Sequence, residues 1–447
     1  MHKVLIVTYY WPPSGGGGVQ RWLKFTKYLR DFGWEPVIYT PSNAEFPAID
    51  PTLTKDIPVG IEVISTPIWE PYEFYKKLTG KKSTTKINSG FLNDKKSPGI
   101  AEKLSIWIRG NLFIPDARTF WIKPSVRYLT KYLKDNHIDA IVSTGPPHSM
   151  HLIALELHER LNIPWLADFR DPWTDIDYYK EMKISAFADK KHKRLELKTI
   201  RGCSAMVVVG RDMKEKYKMM GGNNIHVITN GFDTDDMEAN DMVRDTKFSI
   251  SHIGTLPPSL NLKGLWQVLA ELSESLPSFR NDLEIKLVGK VDKSVIDDIS
   301  ALNLNDQFTQ VEYVTHDKAA SIMKQSAILL LAINKDSPNA KGILTGKIFE
   351  YLASGRPIMA IGPSDGDLSR MFEETEAGVI AEYDDLDQIR KIVTMLYEKY
   401  LNNDLSNNPI GIEKYSRKNL TSDLAAVLNK MICRTESAFQ ESETHLK

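Results

Sequence analysis

Lys347 and Glu350 stand three residues apart in the stretch Gly346-Lys347-Ile348-Phe349-Glu350-Tyr351-Leu352-Ala353-Ser354-Gly355-Arg356-Pro357, in an order that does little for a helix. Thr345 can cap its start and Gly355 can close it in a left-handed turn. Ile348, Phe349 and Leu352 make an apolar face, and Lys347, Glu350 and Ser354 fall together on the opposite one. A lysine in the first turn meets the positive end of the helix dipole, and lysine before glutamate is the weaker order for an ion pair. A cation added to the free N–H groups of a helix start is, however, a seat for phosphate. The plainer alternative is a solvated surface pair.

The same logic recurs upstream. An apolar run ends at Gly254-Thr255, and Asn261-Leu262-Lys263-Gly264 then puts Lys263 near another helix start. Two cations and two helix starts meeting at one cleft would hold a diphosphate without a metal, and Glu350 could accept hydrogen bonds from ribose hydroxyls. In the first half, the first strand runs into Tyr9-Tyr10-Trp11-Pro12-Pro13-Ser14-Gly15-Gly16-Gly17-Gly18. Gly15, Gly16, Gly17 and Gly18 let backbone approach a ligand closely. Their spacing is not G-x-G-x-x-G, and the second strand ends in Thr40-Pro41 with no acid for a ribose, which speaks against a nicotinamide site. His148, in Ser143-Thr144-Gly145-Pro146-Pro147-His148-Ser149, stands at a helix start, to contact a substrate hydroxyl or act as a cap. Arg170 and Asp171 leave a strand end in Asp168-Phe169-Arg170-Asp171-Pro172-Trp173, to meet a ligand or pair with each other. Asp175-Ile176-Asp177 spells a D-x-D, by itself a weak metal signal.

These loops need a scaffold, and the pattern supplies one. Short β-branched runs alternate with amphipathic segments of helix length, the signature of parallel sheets covered by helices on both faces. Strands are expected at 4–8, 37–40, 140–143, 165–168, 206–209 and 226–228, then at 248–253, 284–288, 311–314, 328–333, 358–361 and 379–381. The polar stretch 230–246 reads as a linker, with a first domain at 1–240, a second at 241–410, and a C-terminal helix within 411–447 that crosses back to the first. An insertion at about 68–130 has a lysine-rich loop (Lys76, Lys77, Lys81, Lys82, Lys86, Lys95, Lys96), then aromatics (Trp107, Phe113, Phe120, Trp121, Tyr128) among basic residues. That mixture suits an anionic membrane edge or acceptor, or else a packed subdomain with a basic face.

Composition agrees with a large globular enzyme. The 447 residues exceed one ordinary core, and 42% hydrophobic with 26% charged residues is globular. A net charge of −1 offers no global field for nucleic acid. Cys203 and Cys433 are the only cysteines, which argues against a disulfide framework or structural zinc and fits a reducing cytoplasm. The chain enters a strand pattern at Lys3-Val4-Leu5-Ile6-Val7 without signal-peptide features, and no apolar run reaches the roughly 18 residues of a span, so membrane contact is expected to be peripheral, on the inner face.

With these residues in view, the chain resembles bacterial glycosyltransferases of the GT-B fold, family 4, the retaining nucleotide-sugar enzymes. The resemblance rests on Gly15 to Gly18, on Ile228-Thr229-Asn230-Gly231-Phe232-Asp233, on Gly254 with Lys263-Gly264, and on Phe349 to Pro357. It implies an α/β protein of two Rossmann-like, doubly wound parallel-sheet domains facing a cleft. It also implies a donor site of Gly254, Thr255, Lys263, Thr345, Lys347 and Glu350, with Lys263 on the donor diphosphate and Glu350 on the ribose. Gly15 to Gly18 would serve the phosphate or acceptor side. Gly342 stands where the family usually has a glutamate, and Thr255 where it usually has arginine, a cation that Lys347 would replace. Arg170-Asp171 stands where many relatives have histidine, a variant associated with surface polysaccharide synthesis. The expected activity is metal-independent, cofactor-free transfer of a sugar from a nucleotide diphosphate sugar to a glycan or lipid-linked acceptor, with Lys263, Asp171, His148 and Arg170 as catalytic candidates. The alternatives are a nucleotide-sugar epimerase on the same scaffold and a non-catalytic sugar-nucleotide-binding protein.

Overall fold

The computed structural model describes residues 1–46, 48–71, 100–235 and 243–445. The chain divides into two compact units, Met1–Thr229 with Lys418–Lys447, and Asn230–Arg417. The sequence reading put the division near residue 240. The segment after Asn230 goes with the second unit because Phe232 forms a β-bridge with Ser416 and its carbonyl accepts the Arg417 N–H at 2.8 Å.

In the first unit seven parallel strands run β1 His2–Val7, β2 Trp34–Pro41, β3 Glu62–Thr66, β4 Ala140–Gly145, β5 Trp165–Phe169, β6 Ala205–Val208 and β7 Ile225–Val227. Their order in the sheet is β3-β2-β1-β4-β5-β6-β7. The central strands read as unbroken apolar runs because both faces are covered. Along β1, Leu5 and Val7 join the core on one face, Val4 and Ile6 that on the other, the two-residue period of a strand. The second face is closed by the helix Gly17–Leu29 and by Leu420, Leu424, Leu428 and Met431 of the last helix, Arg417–His445. That helix thus returns to the first unit. Strand β3 escapes a reading by apolar runs because it is a sheet edge on which Ile64 alone is buried.

The basic aromatic insertion resolves in part. Trp121 is 1% exposed and stacks on Tyr39 at 4.9 Å, so this ring belongs to the core, whereas Trp107 and Phe120 are exposed. The lysine-rich loop lies outside the described residues.

The second unit has β8 Phe248–Ile253, β9 Leu283–Val288, β10 Phe308–Val311, β11 Ile328–Ala332, β12 Ile358–Ile361 and β13 Gly378–Ala381, all parallel, in the order β10-β9-β8-β11-β12-β13. Strand β10 lies three residues before its expected place at 311–314. It is an edge strand set by register, Phe308 opposite Ile285 through Val311 opposite Val288, and not by its own hydrophobicity. Each sheet reverses its strand order once, at β1/β4 and at β8/β11, and in open parallel sheets ligands bind beyond the carboxyl ends at such a reversal.

Candidate functional site

Beyond β8 in the second unit, the helix Gly346–Ser354 forms with the apolar face read from its spacing, Ile348, Phe349, Tyr351 and Leu352 being buried. Gly355 closes it at φ 66° and ψ 21°, the left-handed conformation that suits glycine. Thr345 occupies the N-cap position in extended conformation but does not cap: its hydroxyl oxygen is buried and bonds no group.

Lys347 is not one half of a solvated pair. Its Nζ lies 3.3 Å from Nε2 of His252, a β8 residue 1% exposed. His252 Nδ1 lies 3.1 Å from the Leu330 carbonyl on β11. The carbonyl accepts only from a protonated Nδ1, which leaves the Nε2 lone pair to accept an N–H from the lysine. Burial, with the Lys347 charge beside it, holds His252 down at about 3, so the ring is neutral. Burial also brings Lys347 from 10.5 to about 8 against the opposing pull of Glu350. The lysine stem passes over Gly254, whose φ is +127° and where a Cβ would lie 2.4 Å from Lys347 Cε and 2.5 Å from Nζ. Glycine is required there twice, for conformation and for room. The Thr255 carbonyl lies 3.4 Å from the same Nε2, farther than the Leu330 carbonyl from Nδ1, so the shorter bond keeps the proton on Nδ1.

Lys263 begins the helix Lys263–Ser275, as its spacing suggests, but its side chain is 74% exposed and lies 3.3 Å from Asp298. The turn before it is braced by Asn261, which donates to Asp298 at 2.6 Å and accepts from Trp266 Nε1 at 2.9 Å. One cation is thus held inside the unit and the other projects into solvent. Gly342, in the place of the family glutamate, is buried in a short turn, Ala340–Gly342.

In the first unit the glycine loop turns at Gly16, φ 88°, into the helix Gly17–Leu29, and a Cβ on Gly16 or Gly17 would meet nothing within 4 Å. Their backbone is therefore open to a ligand. Arg170 does not pair with Asp171. Its guanidinium donates to the carbonyls of Gly18, Pro146 and Gly145, tying the glycine loop to the end of β4. The Asp171 residue is exposed, yet surrounding protein crowds its carboxyl, and that desolvation pushes it up from the ordinary range against the pull of Arg170.

His148 precedes the helix Ser149–Leu161 without capping it. Asp116 serves instead, its carboxylate accepting the Ser149 N–H at 2.9 Å and the Ser149 hydroxyl at 2.8 Å. The His148 ring stacks on Trp173, centroids 4.4 Å apart and planes 4° from parallel, and its buried Nδ1 bonds no group. Burial, then His151, Arg170 and His192, holds it well below the usual histidine range, and hence neutral. Below it the Asp168 carboxylate accepts from Arg21 Nη2 at 2.9 Å, Trp22 Nε1 at 2.7 Å and Thr144 Oγ1 at 2.8 Å. Burial alone would raise this carboxyl, and these donors bring it below its usual range. Asp168, Arg21 and Asp116 were missed by sequence reasoning, and the sequence does hold one hint: two charged residues, Arg21 and Lys24, among the buried positions of an amphipathic helix. The D-x-D does not stand out as a centre, Asp175 being half exposed, 3.8 Å from Lys216 Nζ.

Two doubly wound parallel sheets, one bearing a cationic helix start beyond its carboxyl edge and the other an open glycine turn, define a GT-B architecture. Residues 94–236 match the model of Glycosyltransferase Family 4, and the chain has the GT-B fold. Among solved structures it is similar to sucrose-phosphate synthase from Thermosynechococcus elongatus, with 12% identity, a TM-score of 0.57 and 100% of both chains covered. It is also similar to HepE of Anabaena in complex with UDP-glucose, with 13% identity, a TM-score of 0.56, and 98% of this chain and 100% of the other covered. A third is a mutant TarM of S. aureus in complex with fondaparinux, α-GlcNAc-glycerol and UDP, with 13% identity, a TM-score of 0.58, and 96% and 100% covered. At such identities the likeness is one of fold. No curated protein matches the chain.

Proposed function

We propose that the protein is a retaining, metal-independent glycosyltransferase that moves a sugar from a nucleotide diphosphate sugar to a glycan or lipid-linked acceptor in bacterial surface polysaccharide synthesis. The observation that carries this reading is Lys347, an ammonium held at a helix start where backbone N–H groups already favour an anion. In the reaction the acceptor hydroxyl attacks the anomeric carbon as its bond to the diphosphate breaks. The hydroxyl proton passes to the departing phosphate, and Lys347, Lys263 and the helix dipoles stabilise the charge on that leaving group. Glu350 holds the ribose. On the acceptor side the neutral His148 and the raised carboxyl of Asp171 orient the incoming hydroxyl beside the glycine turn Gly15 to Gly18, open at Gly16 and Gly17. Arg170 acts through the loops it joins.

The structures of HepE with UDP-glucose and of TarM with UDP support a uridine donor as the first to try. A similar fold also occurs in a putative UDP-N-acetylglucosamine 2-epimerase from Listeria monocytogenes, at 12% identity and a TM-score of 0.53, which keeps the epimerase reading as the outcome to exclude. The test is incubation with UDP-, GDP- and ADP-sugars and lipid-linked or oligosaccharide acceptors in EDTA. The expected result is free nucleoside diphosphate and a lengthened acceptor with the anomeric configuration kept. A changed donor sugar without acceptor would establish an epimerase, and activity lost to EDTA and restored by Mn²⁺ would overturn metal independence. A cytoplasmic enzyme attached peripherally to the inner face, through the basic stretch 76–131, completes the proposal. It predicts salt-sensitive co-sedimentation with anionic vesicles, lost on deletion of residues 83–96.

A further inference from the structure

We infer that His252 is a positioning residue for the donor diphosphate: through its neutral Nε2 it holds the Lys347 ammonium at the helix start over Gly254. The inference rests on the reading of Lys347 as a phosphate cation and adds what makes that cation usable. A lysine ammonium is a point charge on a flexible four-carbon stem, and nothing in the stem fixes where the charge lies. Here the surroundings do. The Leu330 carbonyl accepts the Nδ1–H of His252 at 3.1 Å, a shorter contact than the 3.4 Å between Nε2 and the Thr255 carbonyl, and that bond sets the tautomer and leaves the Nε2 lone pair for Nζ at 3.3 Å. The missing side chain at Gly254 opens the channel through which the stem runs.

One N–H of the ammonium is spent on His252, and two are left for an anion. Among the described residues, the titratable groups bearing on Lys347 are His252 on β8 and Glu350 one turn along the same helix. His252, buried beside a cation, stays neutral across the working range and remains an acceptor throughout. A carboxylate in its place would neutralise the charge that the phosphate needs, while an apolar residue would release the stem. A neutral acceptor fixes the position of the cation and leaves its charge intact. Since burial brings Lys347 to about 8, binding of an anion above that pH must be accompanied by proton uptake, and affinity falls as pH rises.

The experiment uses the full chain and titrates UDP and GDP calorimetrically from pH 6.5 to 9.5. Lys347→Ala, His252→Asn and His252→Gln are compared with the parent. Asparagine keeps a donor near Nδ1 for Leu330 and loses the acceptor facing Nζ; glutamine keeps an acceptor near Nε2. The better-bound nucleotide should lose about tenfold or more in affinity at pH 7 in Lys347→Ala and in His252→Asn. In His252→Asn the fall with pH should begin lower than in the parent, and His252→Gln should recover most of both. With activity in hand, His252→Asn should raise donor KM more than it lowers kcat. A parent that binds neither nucleotide, or Lys347→Ala binding like the parent, sinks the reading of Lys347 itself. A tenfold loss in Lys347→Ala with His252→Asn within twofold of the parent, and the same pH midpoint, sinks the inference about His252 alone. If His252→Asn melts early, His252→Phe carries the same comparison and thresholds.

Discussion

Gly254→Ala tests the construction of the anion seat without removing any charged group from it. An alanine at φ +127° adopts a conformation that L residues avoid, at a cost of about 1–3 kcal/mol. For a domain the size of the second unit, that lowers the melting midpoint by about 2–12 °C. The second effect is specific. The new Cβ would lie 2.4 Å from Lys347 Cε, and because this is the far end of a flexible stem the lysine swings away rather than the strand giving. The seat then loses a charge-assisted hydrogen bond to phosphate, about 1.5–3 kcal/mol, or roughly 10- to 150-fold in nucleoside diphosphate affinity. The discriminating assay is a double-mutant cycle read by calorimetry with Gly254→Ala, Lys347→Ala and their combination. If the alanine acts by displacing the lysine, the double variant binds about as weakly as either single one. Additive losses, agreeing within about 0.5 kcal/mol, would mean that Gly254 and Lys347 act independently and would refute the reasoning. So would a folded Gly254→Ala protein that binds as the parent does.

Two further outcomes follow from the same site. Glu350→Gln keeps the helix and weakens acceptance of ribose hydroxyls, so affinity for the nucleoside diphosphate should fall by on the order of tenfold while affinity for inorganic pyrophosphate holds. Equal affinity for the nucleotide in parent and variant would assign Glu350 to the surface. Lys263→Ala should lower turnover by on the order of 10²-fold at saturating donor, as loss of an electrostatic group at a leaving group does, and should leave the melting curve unchanged, because the side chain is 74% exposed. Undiminished turnover would leave Lys347 as the working cation.

The residues of this chain determine by themselves whatever depends on neighbours in sequence. The runs at 248–253 and 358–361 are strands because buried parallel strands are apolar on both faces, and Gly346–Ser354 is a helix closed by Gly355 because its face and its left-handed end are local properties. The weak edge strands β3 and β10 were missed or misplaced for the converse reason, since pairing with a neighbour makes them strands. Site residues could be nominated from the same local signals, and their roles could not be settled. Lys347 and Glu350 read as a possible surface pair until folding put His252, 95 residues away, against the lysine. Arg170 and Asp171 read as possible partners until the arginine was seen on three carbonyls of two loops. His148 read as a possible cap until Asp116, 33 residues before Ser149, was found in that place. In each case a polar group takes its partner from whatever the strand order brings within 3 Å or so of it once water is excluded, and that is a property of the assembled sheet rather than of any stretch of chain.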